Sequence, residues 1–133
     1  MPTITRFEDL EIWKLARIQS NDFYYLAGNT ALSKDYELKN QMNASSGSVM
    51  DCIAEGFERS GNQEFKNFLT MAKGSNGEFR SQLLRCLDRK HISPEKFNEF
   101  YTRNVKLGNK IMSFINYLKK TTYKGQSRRS KET

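Results

Sequence analysis

Apolar residues recur along the chain at intervals of three and four, and no segment sustains the alternation of a half-buried strand. The pattern predicts an all-α chain of four helices, about 6–27, 35–59, 61–90 and 94–121. Short connections at 28–34 and 91–93 imply antiparallel neighbours, hence an antiparallel up-and-down four-helix bundle over residues 1–118.

In helix 1, Thr5-x-x-Glu8 reads as a capping box and Gly28 as the residue past the last turn. Ile12, Trp13, Leu15, Ala16, Phe23, Tyr24 and Leu26 cover about half its circumference at the helical period. Leu10, Ile18 and Tyr25 fall on another side. A helix this apolar needs more than one covering surface, and a subunit contact can supply it. Helix 2 carries a core face of Leu38, Met42, Val49, Ile53 and Phe57. A second row, Ala44, Ser48, Cys52 and Gly56, consists only of small residues, which lets another helix backbone come close. A ligand groove is the other reading of that row.

Helix 3 holds its stripe from Phe65, Phe68, Leu69 and Ala72 across to Phe79, Leu83, Cys86 and Leu87. Gly74 and Gly77 interrupt it, each costing roughly 1 kcal/mol against Ala, but the stripe stays in phase and predicts one continuous helix. Ser60-x-x-Gln63 is its expected cap. Ala72, Gly74, Ser75 and Gly77 are expected to face a tight neighbour, with the small row of helix 2 the natural candidate. Helix 4 opens with Ser93 as N-cap, Pro94 at the first helical position and Glu95 at the positive end of the dipole. Its expected core is Phe97, Phe100, Tyr101, Val105, Gly108, Ile111, Met112, Ile115 and Leu118.

Composition adds charge to this picture. The formal net charge is +7 on 133 residues, and mean hydropathy is −0.76. The segment 119–133 carries six Lys/Arg against one Glu, a net of +5. Residues 1–118 carry sixteen against fourteen, a net of +2. The basic segment reads as a disordered polar tail that attracts polyanions or acidic surfaces. MPTITRF lacks a signal peptide's apolar region, and no apolar run approaches the roughly 20 residues of a bilayer span. No membrane association is expected, and Cys52 and Cys86 read as reduced, buried thiols of a cytoplasmic protein.

Chemical constellations are sparse. His91 is the chain's single histidine; there is no Glu-x-x-His pair and no zinc-ligand spacing. Asp88 and Ser93 flank His91, but a catalytic triad is defined by geometry, and Ser93 reads as a cap. The stretch Gly74-Ser75-Asn76-Gly77 follows no strand and is not a phosphate loop. Glu55 and Arg59 are four apart and read as a helix ion pair. The expectation is a non-enzyme with no cofactor, no metal and no small-molecule substrate. One basic pattern stands out. Lys66, Lys73 and Arg80 step by seven on helix 3, and Lys96, Arg103 and Lys110 do so on helix 4. A seven-residue step drifts only about 20° on a straight helix, so each set forms a rail able to track a phosphate backbone. An ordinary solvated face is the plainer reading, and Glu64 and Glu99 lie near these faces. Lys119, Lys120, Lys124, Arg128, Arg129 and Lys131 of the tail complete the candidate nucleic-acid set.

The run from Leu38-Lys39-Asn40-Gln41 through Ser48-Val49 to Ile53-Ala54-Glu55-Gly56 and Arg59 resembles a known family. So does its continuation, Glu64-Phe65, Phe68-Leu69, Ala72, Gly74-Ser75 and Glu78-Phe79, as does the opening stretch from Phe7 to Ala16. The resemblance, over about residues 7–118, is to the four-helix-bundle proteins encoded within intervening sequences of bacterial 23S ribosomal RNA genes. More distantly, the chain is similar to the accessory variability proteins of diversity-generating retroelements, basic pentamers that work with a reverse transcriptase and nucleic acid. The resemblance implies a four-helix bundle assembled as a homopentamer, with no established catalytic activity. It marks Gln41, Ser48, Glu55, Gly56, Arg59, Ala72, Gly74, Ser75 and Glu78 as structural or interface positions. Gln41, Glu55 and Glu78 are expected to be buried or interfacial groups that fix helix register. Asn43 stands where the family often has Arg, and Cys52 where it often has Asn. The resulting expectation is an oligomeric bundle associated with RNA or a ribonucleoprotein. A protein–protein scaffold with no nucleic-acid role is the alternative.

Overall fold

A computed structural model of the chain describes the backbone of residues 3–132 and the side chains of residues 3–121. Among the described residues it is all-helical, with four α-helices and no strand: α1 (Glu11–Gly28), α2 (Tyr36–Glu58), α3 (Asn62–Asp88) and α4 (Pro94–Glu132). Short 3-10 turns at Phe7–Asp9 and Ala31–Lys34 precede α1 and α2. The α4 backbone runs beyond Thr121, where the apolar pattern stops; from residue 122 on, the expected tail lies outside the described side chains.

The helix ends follow local chemistry, with two corrections. The first helix does not start on a Thr5–Glu8 box. Arg6 is extended with no side-chain cap, and an Arg6–Asp9 ion pair at 3.0 Å closes a 3-10 turn instead. Extended Leu10 separates that turn from α1, and Phe7 packs edge-to-face on Trp13 at 5.3 Å across the break. Nor does Ser60 cap α3. The N-cap is Gly61, at φ 92° and ψ 149°, a conformation that favours glycine and turns the chain sharply out of α2. Asp35 caps α2 by accepting from the Leu38 amide at 3.4 Å, and Ser93 Oγ accepts from the Lys96 amide at 3.2 Å. At the end of α3, Lys90 is left-handed, and the His91 amide reaches back to the Cys86 carbonyl at 2.9 Å, satisfying a terminal acceptor.

Helix α3 runs unbroken through Gly74 and Gly77 and packs against α2 and α4; α1 closes on α2 and, more lightly, on α4. The apolar interior falls into two clusters. One joins Ile12, Val49, Ile53, Phe65, Leu69, Ile111 and Ile115; the other joins Phe23, Leu38, Met42, Phe79, Leu83 and Phe100. Between them lies a polar layer to which every helix contributes: Gln19, Ser45 and Ser46, Asn76, and Asn104, all buried. Asn104 Nδ2 donates to Gln19 Oε1 at 2.8 Å and to Asn76 Oδ1 at 3.0 Å, and Asn76 Nδ2 donates to the Asn104 carbonyl at 3.0 Å. Gln19 Nε2 donates to Asn76 Oδ1 at 3.1 Å, and Ser45 Oγ donates to Gln82 Oε1 at 2.6 Å. One expected core residue is wrong: Tyr101 is exposed, while Leu107 and Asn104 fill the interior of α4; Tyr24, on the apolar arc of helix 1, is exposed as well.

Candidate nucleic-acid interface

The two basic rails have different fates. On α4, each cation meets a carboxylate. Lys96 pairs with Glu99 at 3.3 Å on its own helix, Arg103 with Asp22 at 2.6 Å, and Lys110 with Glu11 at 2.9 Å. The last two pairs stitch α4 to α1, and the Lys110 ammonium holds the Glu11 carboxyl below its ordinary range, first by hydrogen bonding and then by charge. This rail serves the fold more than a ligand.

On α3 the first two members face a groove. Lys66 and Lys73, with Gln63, Asn67 and Thr70, form one wall of a concavity of about 280 Å³ between α3 and α4. Met112 and Ile115 of α4 line it on the other side, and Lys119 stands with them. Among the described residues no carboxylate lines this groove. Arg80, the third member of the α3 rail, leaves it: its guanidinium lies 5.9 Å from the centre of the Tyr101 ring. Lys120 is exposed, whereas the side chains of Lys124, Arg128, Arg129 and Lys131 lie outside the described residues. The arrangement supplies point charges for phosphates, amides and a hydroxyl for sugar or base edges, and an apolar floor. Gln63, Asn67 and Thr70 were not singled out in the sequence. Their signal was there, since 63, 66, 67, 70 and 73 share one helical face.

The family-motif residues concentrate where α2 meets α3. Ser48 and Ser75 hydroxyls are 2.9 Å apart, and Ala72 is fully buried. Gly56 sits against α3, and Arg59 stacks over Phe68 at 5.1 Å while pairing with Glu55 at 3.0 Å. Gly74 and Gly77 differ from expectation, because nothing lies within 4 Å of where their Cβ would be. They point away from α2, 200° and 140° around the helix from Ala72, by the 100° step per residue. Gln41, Glu55 and Glu78 are exposed, not buried. Gln41 still bridges helices by accepting from Arg85 Nη1 at 3.1 Å, and Glu78 accepts from Gln82 at 3.4 Å. The buried amides are instead Gln19, Asn62, Asn76, Gln82 and Asn104.

The model of the 23S rRNA-intervening sequence protein family matches residues 8–113, about four-fifths of the chain. The chain belongs to that family. A comparison with curated proteins finds no match. The family region takes in Lys66 and Lys73 of the groove, while Lys119 and the basic segment follow it. Among the described residues no helix is long and apolar enough to cross a membrane, and no three His, Cys, Asp or Glu side chains gather as metal ligands.

Proposed function

We propose that the chain is a non-enzymatic, oligomeric, antiparallel up-and-down four-helix bundle of the cytoplasm that associates with RNA or a ribonucleoprotein. The lysine groove between α3 and α4, lined by no carboxylate among the described residues, carries this reading. The basic segment 119–133 begins with Lys119, which lines that groove. The antiparallel topology is supported by partner order. From its N-cap Asp35 along α2 to Gln41, Ser45 and Ser48, the partners are the α3 C-cap Arg89 and then Arg85, Gln82 and Ser75 of α3, in descending order. Arg80, Asn76 and Phe65 of α3 meet Tyr101, Asn104 and Phe114 of α4 in ascending order.

Self-association is supported by apolar surface that one chain leaves uncovered, notably Ile18 at 47% and Met71 at 55% exposure. A ring of subunits, pentameric as in the resemblance that also reaches the retroelement accessory proteins, would repeat the groove and sum its field. A non-enzymatic role fits the buried polar layer, whose groups are amides and hydroxyls rather than proton carriers near neutral pH.

RNA binding measured across a salt series tests the reading. Affinity is expected to fall steeply with salt. Lys73→Gln should weaken binding and make the salt slope shallower by about one, and removal of 119–133 should weaken it further. Lys110→Gln, at a cation already tied to Glu11, should leave the slope unchanged. Undetectable or salt-independent binding at low salt overturns the RNA role. A partner retained from the native host after nuclease treatment favours a protein scaffold. Light scattering that returns 15.5 kDa at micromolar concentration overturns the oligomer.

A further inference from the structure

A second concavity, of about 420 Å³, opens where α1 ends and α2 begins, on a different helix pair from the basic groove. That volume is in the range of small-ligand sites. Its chemistry differs from the groove's. Tyr24 and Tyr25 form one side, 69% and 66% exposed, and their rings meet at 5.4 Å and 86°. One ring therefore offers a face where the other offers an edge. Asn40 and Asn43 of α2 stand on the other side, with the amide donor and acceptor pair that matches the polar edge of a base. Lys39 also lines the site; its ammonium is 3.4 Å from the Ser33 carbonyl and 5.1 Å from the centre of the Tyr36 ring. Gly28 keeps the floor low, since nothing stands within 4 Å of its Cβ position. Among the described residues no carboxylate lines the site.

Tyrosines that serve packing bury their rings and leave the hydroxyl wet. Tyr24 and Tyr25 are instead mostly exposed, beside amides and a cation. We propose that this pocket takes one unstacked nucleobase of a single-stranded RNA, stacked on the Tyr24–Tyr25 pair and held at its edge by Asn40 and Asn43, with Lys39 beside the adjoining phosphate. Stacking and amide contacts select unpaired bases, whereas the lysine groove follows backbone charge. The source of the strand rests on the RNA reading above; the pocket itself can be tested without a long RNA.

The test uses the full chain and two probes, uridine 5′-monophosphate and a ten-nucleotide oligouridine, with ribose 5-phosphate as the baseless control. Saturation-transfer NMR is expected to show transfer to the uracil protons and little to ribose 5-phosphate. Tyr24→Ala should abolish the transfer and weaken the oligonucleotide about tenfold. It should leave the affinity for duplex RNA of the same length unchanged. Lys73→Gln should weaken both RNAs and spare the mononucleotide, so a failure of the groove and a failure of the pocket are read separately. Absent transfer to uracil, equal transfer to ribose 5-phosphate, or an unaltered signal in Tyr24→Ala overturns the proposal. So does a fall in assembly mass on Tyr24→Ala, which would assign the tyrosines to a contact between copies of the chain.

Discussion

Gly56 of α2 lies so close to Phe68 of α3 that a Cβ placed on it would stand 2.6 Å from the Phe68 Cβ and 3.1 Å from the Phe65 ring. The neighbours are the base of a side chain and a packed ring, so neither can simply swing aside. Gly56→Ala should therefore destabilise the fold by about 1–3 kcal/mol. Gly74 gives the opposite expectation. It is helical and has open space around its Cβ position. Gly74→Ala should raise single-chain stability by up to about 1 kcal/mol. Urea unfolding of the two variants, with unchanged m-values, checks both signs.

The polar layer predicts a cost for each broken amide contact. Asn104 donates to Gln19 and Asn76 from a fully buried position. Asn104→Ala strands the Gln19 Oε1 acceptor away from water, at about 1–3 kcal/mol, while Asn76 Oδ1 keeps its donor from Gln19 Nε2. The Gln19→Ala, Asn104→Ala double variant should lose less than the sum of its single variants, because the two side chains share one contact. A double-mutant cycle by chemical denaturation measures that coupling.

Acid should loosen the junction of α2 with the α3–α4 turn. Asp35 accepts from His91 Nε2 at 2.9 Å and Arg89 Nη1 at 2.8 Å, and its carboxyl is held below the ordinary 3.8 first by the His91 hydrogen bond and then by Arg89. A carboxyl whose folded pKa is depressed contributes stability above its unfolded pKa and loses it as pH falls through the folded value. The Asp35 contribution should thus be whole above about pH 4 and disappear below it. Asp35→Asn should flatten this part of the stability–pH curve, as followed by circular dichroism.

Alkali acts at Cys86. Its thiol lies in the core, 3.4 Å from Met42 Sδ, and burial, aided by the Asp35 charge, pushes its pKa up to about 11 from the ordinary 9.0. The unfolded chain gives up this proton first, so the contribution is whole below pH 9 and is lost as pH rises to about 11. Cys86→Ala should remove that component. At neutral pH the native thiol should resist maleimide, with labelling that speeds up in step with unfolding.

What could be read in advance was what local chemistry decides. Ser93 and Pro94 specify a helix start without help from elsewhere, and α3 holds its apolar phase across two glycines. The start of α1 was not legible, because the Phe7–Trp13 contact spans a break that no periodicity records. Tyr101 was expected inside and Leu107 was not. A broad apolar arc does not say which of its edges meets the neighbouring helix, and α3 decides that. The buried amides were invisible because Gln and Asn score as surface at any single position. The rails were visible as a seven-residue step, but Asp22 and Glu11, which neutralise two members of one rail, lie more than eighty residues upstream.

Those two ion pairs have a consequence for any salt experiment. Arg103–Asp22 and Lys110–Glu11 lie along the seam on which α1 rests most lightly. Mobile ions that displace a polyanion from the α3–α4 groove screen this seam at the same concentrations. Ionic strength is thus a single dial with two readouts, release of a strand and fraying of the first helix. Amide exchange across 11–28 recorded beside each binding isotherm would tell them apart, with Lys110→Gln exchanging faster there at low salt and the parent chain approaching it as salt rises.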